Sequence, residues 1–148
     1  MRNTEPIIKE VIIDAPVKKV WAALTEKEQF GKWFLPAEEL KPEVGTTFHM
    51  TGYFEGKAYP HVCTVTEVIP EKKIAYTWEI EGDLGETLVT YELEQTGDKT
   101  KVTMTHSGFD KYPFDAPQES RDGYANGWEK IINVYLKDYV EKGVEQHQ

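Results

Sequence analysis

The sequence predicts an α+β fold: a curved antiparallel sheet of about six strands wrapped on a long C-terminal helix, with two short helices after the first strand. From Thr46 to His106, apolar residues mostly alternate with polar ones, and turns containing Gly or Pro interrupt them, which is typical of hairpin-connected strands. From Glu119 to Lys142 the apolar residues recur instead at steps of three and four, the period of an amphipathic helix. One face of such a sheet needs an apolar cover, and the last helix is the only segment long enough to supply it.

The first part of the chain predicts one strand and two helices. The segment Ile7–Ile13 is rich in β-branched residues and is predicted as a strand. Pro16 favours a helix start, and we expect a short helix that runs to Leu24. Thr25 can cap a second short helix, which we expect to continue to about Trp33. These two helices can plug one end of the curved sheet.

The middle of the chain predicts five strands joined by sequential hairpins, which makes a meander. A strongly curved sheet cannot touch one straight helix everywhere, so we expect a cavity between them. Pro60, near the start of the second of these strands, predicts an edge or a bulge there. The five predicted strands are Thr46–Tyr53, Tyr59–Ile69, Ile74–Ile80, Val89–Leu93 and Val102–His106.

The apolar face of the last helix is made mostly of Trp and Tyr. Rings with a polar tip suit the wall of a partly wet cleft, although the same rings could fill a solid core. Gly143 stands where a helix needs a left-handed stop, and we expect the tail from about residue 144 to be disordered. The residues of this face are Tyr124, Trp128, Ile131, Ile132, Tyr135 and Tyr139.

The composition favours a single cytoplasmic domain spanning residues 1–148. The formal net charge of −9 disfavours nucleic acid and anionic membrane surfaces as partners. Cys63 is the one cysteine, which fits a reducing compartment. The N-terminus lacks the pattern of a signal peptide, and no apolar stretch is long enough to span a bilayer.

Several short motifs occur in a familiar order along nearly the whole chain. They are Asp14-Ala15-Pro16 with Val20-Trp21, Trp33-Phe34, Glu67-Val68-Ile69-Pro70, His106-Ser107-Gly108-Phe109 and Gly127-Trp128. With the order of elements, they resemble the Bet v 1/START-like (SRPBCC) superfamily, which has the helix-grip fold. Within it, the chain is similar to bacterial proteins related to the C-terminal domain of the activator of Hsp90 ATPase. The resemblance implies a small, mainly apolar ligand held between the long helix and the sheet.

Strand alternation and the helix face together predict a ring-rich lining for that cavity. For each residue, plain core packing is the alternative to ligand contact. The predicted ligand-binding residues are Trp33, Phe48, Met50, Tyr76, Trp78, Tyr91, Met104, His106, Trp128, Ile132 and Tyr135.

His106 is the sharpest candidate for chemistry, because it ends the last strand before a loop that could lie over the cavity mouth. Its imidazole could hydrogen-bond a ligand oxygen or move a proton near neutral pH. The alternative is a histidine bonded to backbone at the end of the strand. A cyclase mechanism would need a second acid or base near it, with Glu67 and Tyr91 as candidates.

No metal or cofactor is predicted. His49, His61 and His106 are far apart in sequence. A three-residue hairpin loop after the first meander strand would place His49 opposite Cys63, whereas a two-residue loop would misalign them, and two ligands are too few for a site. Phosphate-binding loops and dinucleotide fingerprints are absent from the sequence.

Three functions therefore stand as hypotheses. The first is an intracellular protein that binds a small hydrophobic molecule, aromatic or lipid-like, without catalysis. The second is an enzyme resembling polyketide cyclases or hydrolases that uses His106. The third is an interaction module like the Hsp90 activator, although the activator's separate N-terminal domain has no counterpart in this sequence.

Overall fold

The computed structural model describes residues 5–54, 57–80, 86–109 and 127–143, and within them it has the predicted α+β fold. Six strands of these residues form one antiparallel sheet, and each predicted strand is present with ends that differ by a few residues. In chain order the elements are β1 (Ile7–Ile13), α1 (Val17–Thr25), α2 (Lys27–Trp33), β2 (Thr47–Phe54), β3 (Lys57–Ile69), β4 (Lys73–Ile80), β5 (Thr87–Thr96) and β6 (Lys99–Ser107). The described part of the C-terminal helix, α3, covers residues 127–142.

The sheet order is β1-β6-β5-β4-β3-β2, so the meander of β2 to β6 adds the first strand at its far edge. The two-residue connection between Phe54 and Lys57 sets the register of the first hairpin. It places Phe48 opposite Cys63, so His49 lies opposite Val62 instead and on the other face from the thiol. Further along, β3 carries an irregularity between residues 65 and 67, where its register against β4 shifts by one residue.

The strand alternation correctly predicted which side chains face the helix. All of the residues predicted to face inward on β2, β4, β5 and β6 are buried. They are Phe48, Met50, Ile74, Tyr76, Trp78, Val89, Tyr91, Val102, Met104 and His106.

The C-terminal helix differs from the predicted one in its middle turns. Residues 127–130 are α-helical, Ile131–Leu136 form a π-helix, and Lys137–Lys142 are α-helical again. The π-helix bonds residue i to i+5 and so has more residues per turn, which moves the buried stripe to steps of four. The buried residues are Trp128, Ile132, Leu136 and Val140, whereas Tyr135, predicted to face the cavity, is only half-buried. Tyr124 lies outside the described residues.

Polar contacts fasten α3 to the end of β1. The ammonium of Lys137 donates to the carbonyl of Ile12 at 2.8 Å and to the carboxylate of Glu141 at 2.6 Å, and the same carboxylate accepts the backbone N–H of Asp14 at 2.7 Å. Burial raises the pKa of Glu141, but the Asp14 N–H and the Lys137 ammonium outweigh it and leave that pKa below its ordinary value. The helix ends as predicted at Gly143, whose φ is 74°.

The two short helices pack against each other as a plug. Thr25 does not cap α2, as the sequence had suggested: it is the last residue of α1, and its hydroxyl donates to the carbonyl of Trp21 at 2.8 Å. The indole N–H of Trp33 in α2 donates to the carbonyl of Ala23 at 2.8 Å, which fixes one helix on the other. Among the described residues, no helix has the length and apolar character needed to cross a bilayer.

Candidate functional site

Three aromatic rings from three elements meet under α3. Phe34 follows α2, Trp78 lies on β4 and Trp128 lies in the first turn of the described helix. The ring centroids of Phe34 and Trp78 are 6.2 Å apart with the planes only 10° from parallel. The ring of Trp128 is 5.6 Å from each of them and tilted by more than 50°. The seam between helix and sheet is therefore built from aromatic surfaces at its centre.

A small pocket of about 130 Å³ lies beside these rings. Its walls are almost entirely non-polar. A ligand in this pocket would remove the apolar surface of the walls from water, which is favourable. A molecule that filled it would therefore gain free energy. The residues that line the pocket are Phe34, Leu35, His61, Trp78, Gly127, Trp128 and Ile131.

Two of the predicted binding residues, Trp78 and Trp128, line this pocket. The rest do not: Tyr135 is half-buried, and eight others are buried in the packed interior. The interior between helix and sheet is thus more tightly filled than the predicted cavity. The eight buried residues are Trp33, Phe48, Met50, Tyr76, Tyr91, Met104, His106 and Ile132.

The prediction missed five of the pocket residues. Phe34 and Leu35 immediately precede Pro36, in the irregular segment after α2. An apolar pair in such a segment indicates a buried contact, and this signal could have found them. His61 shares its strand face with the buried cysteine two residues later, and strand parity could have found it. Ile131 was placed on the correct helix face but not in the site. Gly127 offers no side chain, so nothing in its residue type marks it.

His106 is fully buried and lies in a directed chain of hydrogen bonds. The indole N–H of Trp128 can only donate, so the Nδ1 atom of His106, 3.0 Å away, must accept. In the neutral ring the hydrogen is then on Nε2, which donates to the hydroxyl of Thr87 at 2.7 Å. That hydroxyl in turn donates to the carbonyl of Trp78 at 3.0 Å. The histidine therefore connects helix α3 to strands β4 and β5.

The same hydrogen bonds make the lone pair on Nδ1 of His106 unavailable for accepting a proton. Burial, with the nearby charge of His61 when protonated, lowers the pKa of His106 to about 3. Its Nδ1 lone pair points at the Trp128 indole, so accepting a proton there would break that bond. Of the proposed catalytic partners, Glu67 forms an ion pair with Lys73 at 3.1 Å on the solvent side. The geometry fits a structural histidine better than a general base.

The chain folds tightly over the imidazole after β6. Gly108 has a φ of 98°, and a side chain there would come within 3.3 Å of the Thr87 Cα atom, so glycine is required by both conformation and space. This turn lets Phe109 pack on His106 with 4.8 Å between ring centroids. Residues 110–126 lie outside the described part, so the loop predicted over the cavity mouth remains a prediction.

Tyr76 and Tyr91 form a second buried polar contact. Their hydroxyl oxygens are 3.0 Å apart and both side chains are fully buried. Burial raises the pKa of each phenol well above its ordinary value, so both are neutral. Tyr91 is therefore not available as an acid or base partner for His106 near neutral pH.

We expect the Tyr91→Phe variant to lose about 1–2 kcal/mol of unfolding free energy, because the Tyr76 hydroxyl would stay buried without its partner. The double variant Tyr76→Phe/Tyr91→Phe should be less destabilised than the sum of the two single variants, since neither hydroxyl remains. Urea denaturation followed by circular dichroism measures all three. Strict additivity would show that the two hydroxyls do not depend on each other.

The remaining candidates for chemistry are weaker. Burial raises the pKa of Cys63 to about 12, so its thiol stays protonated and unreactive. In the four described ranges, no three His, Cys, Asp or Glu side chains are grouped to hold a metal ion. A larger groove of about 650 Å³ lies on the outer face of the sheet, and Glu and Lys side chains of both signs line it. Because charged side chains stand among its walls, the smaller and almost entirely non-polar pocket is the better candidate site for an apolar ligand.

The fold and the pocket together define a helix-grip protein of the Bet v 1/START-like superfamily. A sequence model of the Activator of Hsp90 ATPase homolog 1-like protein family matches residues 14–141, and the chain belongs to that family. A search of curated protein sequences gave no match.

Solved structures agree with this assignment. Protein BH1534 from Bacillus halodurans is 30% identical, with a TM-score of 0.76 over 95% of this chain and 100% of its own. Protein MLL2253 from Mesorhizobium loti is 28% identical, with a TM-score of 0.75 over 90% of this chain and 95% of its own. CalU16 from Micromonospora echinospora is 22% identical, with a TM-score of 0.73 over 98% of this chain and 83% of its own, a likeness that shows the fold alone.

Proposed function

We propose that this protein binds a small hydrophobic molecule in the pocket under α3, as an intracellular carrier or sensor. Family membership and fold support a ligand-binding domain in general terms. The observation that carries the specific proposal is the non-polar pocket at the seam of helix and sheet, which Trp78 and Trp128 help to line. The acidic balance of the chain favours a neutral small molecule over nucleic acid or an anionic membrane surface as the partner.

The energetics allow modest affinity. A ligand that hides about 200 Å² of apolar surface gains roughly 5 kcal/mol before the costs of association. That gain alone corresponds to a dissociation constant of about 0.2 mM, and the costs of association weaken it to millimolar order or beyond. Such an affinity suits a sensor or carrier of an abundant compound.

The two alternatives have less support. The enzyme hypothesis depended on His106, whose ring nitrogens bond Trp128 and Thr87 inside the protein. The chaperone-activator hypothesis is supported by the family description alone. Neither has a geometric observation comparable to the pocket.

Titration with a panel of flat aromatic compounds and fatty acids tests the proposal. At least one compound should change the tryptophan emission and raise the melting temperature. The Trp78→Phe variant should lose most of the emission change, because its indole lines the pocket. The matched variant Trp21→Phe, altered on α1 away from the pocket, should keep it. Unchanged emission and melting temperature with every compound would refute a binding function.

A further inference from the structure

We infer that the pocket selects a neutral molecule with a single aromatic ring, rather than a fatty acid, a fused ring system or an aromatic acid. This inference depends on the proposed binding function and narrows it to one ligand class. It follows from three properties of the pocket: its volume, the nature of its walls and the charge around it.

The volume sets the upper size. The pocket measures about 130 Å³. Pockets for drug-sized ligands are typically about 300–1,000 Å³, whereas an apolar cavity of about 150 Å³ is known to admit benzene. The residues around it restrict expansion, because Trp33 and Ile132 are fully buried in the surrounding core. One ring fits this space, whereas two fused rings or a long alkyl chain exceed its volume and would leave part of their apolar surface in water.

The walls favour a ring over a chain of similar volume. Three aromatic side chains and one imidazole line the space, with Phe34 and Trp78 nearly parallel and Trp128 tilted by 57° to Trp78. The ring of His61 meets Trp78 edge to face at 4.7 Å. A flat ligand can thus offset-stack on one ring and present its edge to another, which are the arrangements that aromatic pairs prefer.

The charge around the pocket excludes an anion. Nearly all of the wall surface is non-polar, including the part of the His61 imidazole that faces the pocket, so a carboxylate would lose its hydration without a compensating partner. His106, behind Trp128, is bonded as a neutral ring by Trp128 and Thr87 and so supplies no positive charge. The net charge of −9 adds long-range repulsion. A neutral ring avoids all three costs.

Four probes separate the properties: toluene, benzoate, naphthalene and decanoate. Toluene and benzoate share one ring and differ in charge, naphthalene exceeds the volume as a neutral fused ring, and decanoate differs from toluene in both shape and charge. The dependence of the melting temperature on probe concentration gives each apparent affinity. Toluene should bind at least tenfold more tightly than each of the other three. Equal or tighter binding of benzoate, naphthalene or decanoate would overturn the inference.

A variant whose larger side chain fills the pocket tests whether the ligand binds there. The Ile131→Phe variant adds volume at the pocket wall and should weaken toluene binding at least tenfold. The matched variant Val134→Phe adds the same ring to the same helix at an exposed position and should bind toluene like the parent. If Ile131→Phe does not fold, Leu35→Phe fills the pocket from its other side. Full toluene binding in the filled variant would place the ligand elsewhere and overturn the inference.

The outcomes for the two proposals remain distinct. Binding of decanoate or naphthalene without toluene would refute the single-ring inference and leave the hydrophobic binding function in place. No binding of any of the four probes, or of the wider panel, would refute both.

Discussion

Acid is expected to destabilise this protein steeply because of one buried side chain, His106. Below pH 6 its share of the unfolding free energy should fall by about 1.4 kcal/mol per pH unit, or by roughly 4 kcal/mol by pH 3. The direction follows from proton binding. The unfolded chain takes up a proton near pH 6.5, whereas burial lowers the folded pKa to about 3. Between those values the unfolded state binds more protons than the folded state. Lowering the pH therefore favours unfolding, and the free energy of unfolding decreases.

The His106→Phe variant isolates this contribution. Other groups also titrate in acid, including Glu39 and Glu141, whose carboxylate pKa values are lowered in the fold. The informative quantity is therefore the difference in slope between parent and variant, from urea denaturation at pH 3.5 to 7. We expect a shallower slope in His106→Phe and the parental slope in Val134→Phe, which changes an exposed residue of α3 that does not titrate. Identical slopes in His106→Phe and the parent would show that His106 takes up its proton without unfolding.

The order of the meander strands β2 to β6 and the inward faces could be predicted from the sequence because they depend on local signals, whereas the pairing of β1 with β6 was not predicted. Period-two alternation is a property of each strand by itself, and turn residues such as Gly97 mark the hairpins. The same local logic predicted the burial of Tyr76, Tyr91 and His106. The predicted cap of α2 was wrong because Thr25 is the last residue of α1, where its hydroxyl donates to the carbonyl of Trp21 in its own helix.

The helix face could not be predicted fully, because the π-helix is a tertiary outcome. A period of 3.6 residues places Tyr135 toward the sheet, but the wider turns of Ile131–Leu136 bring Leu136 inward instead. Nothing in the residue types of this stretch signals the change. Whether Leu136 or Tyr135 packs against the sheet depends on the fit between helix and sheet, which the sequence of the helix alone does not contain.

The candidate site could be predicted only in part, for a similar reason. Trp78 and Trp128 could be placed because each follows the period of its own element. The size of the pocket could not, because it is what remains after some thirty buried side chains have packed. Phe34 and Leu35 come from an irregular segment, to which no periodicity applies. Sequence reasoning consequently predicted a cavity without its size, and the structure has a packed interior with a small pocket.

The hydrogen bond between His106 and Trp128 is expected to appear as an energetic coupling between the two residues. At neutral pH, His106→Phe should lower the unfolding free energy by about 2–3 kcal/mol, because it leaves the Trp128 N–H buried without an acceptor. Trp128→Phe should cost about 3 kcal/mol, through the unsatisfied Nδ1 atom and the smaller ring. In the double variant neither orphaned group remains, so its cost should be about 1–2 kcal/mol less than the sum.

A second cycle serves as the control. Trp33 is also fully buried, but its indole N–H donates to the carbonyl of Ala23 and not to the histidine. The variants His106→Phe and Trp33→Phe should therefore add within about 0.5 kcal/mol. Additivity in the Trp128 cycle as well would mean that the indole bond contributes no net stability. Coupling in the Trp128 cycle alone would show that the hydrogen bond of His106 holds the C-terminal helix to the sheet. That result would explain why a fully buried histidine stands in a mostly apolar and aromatic interior, without requiring it to take part in catalysis.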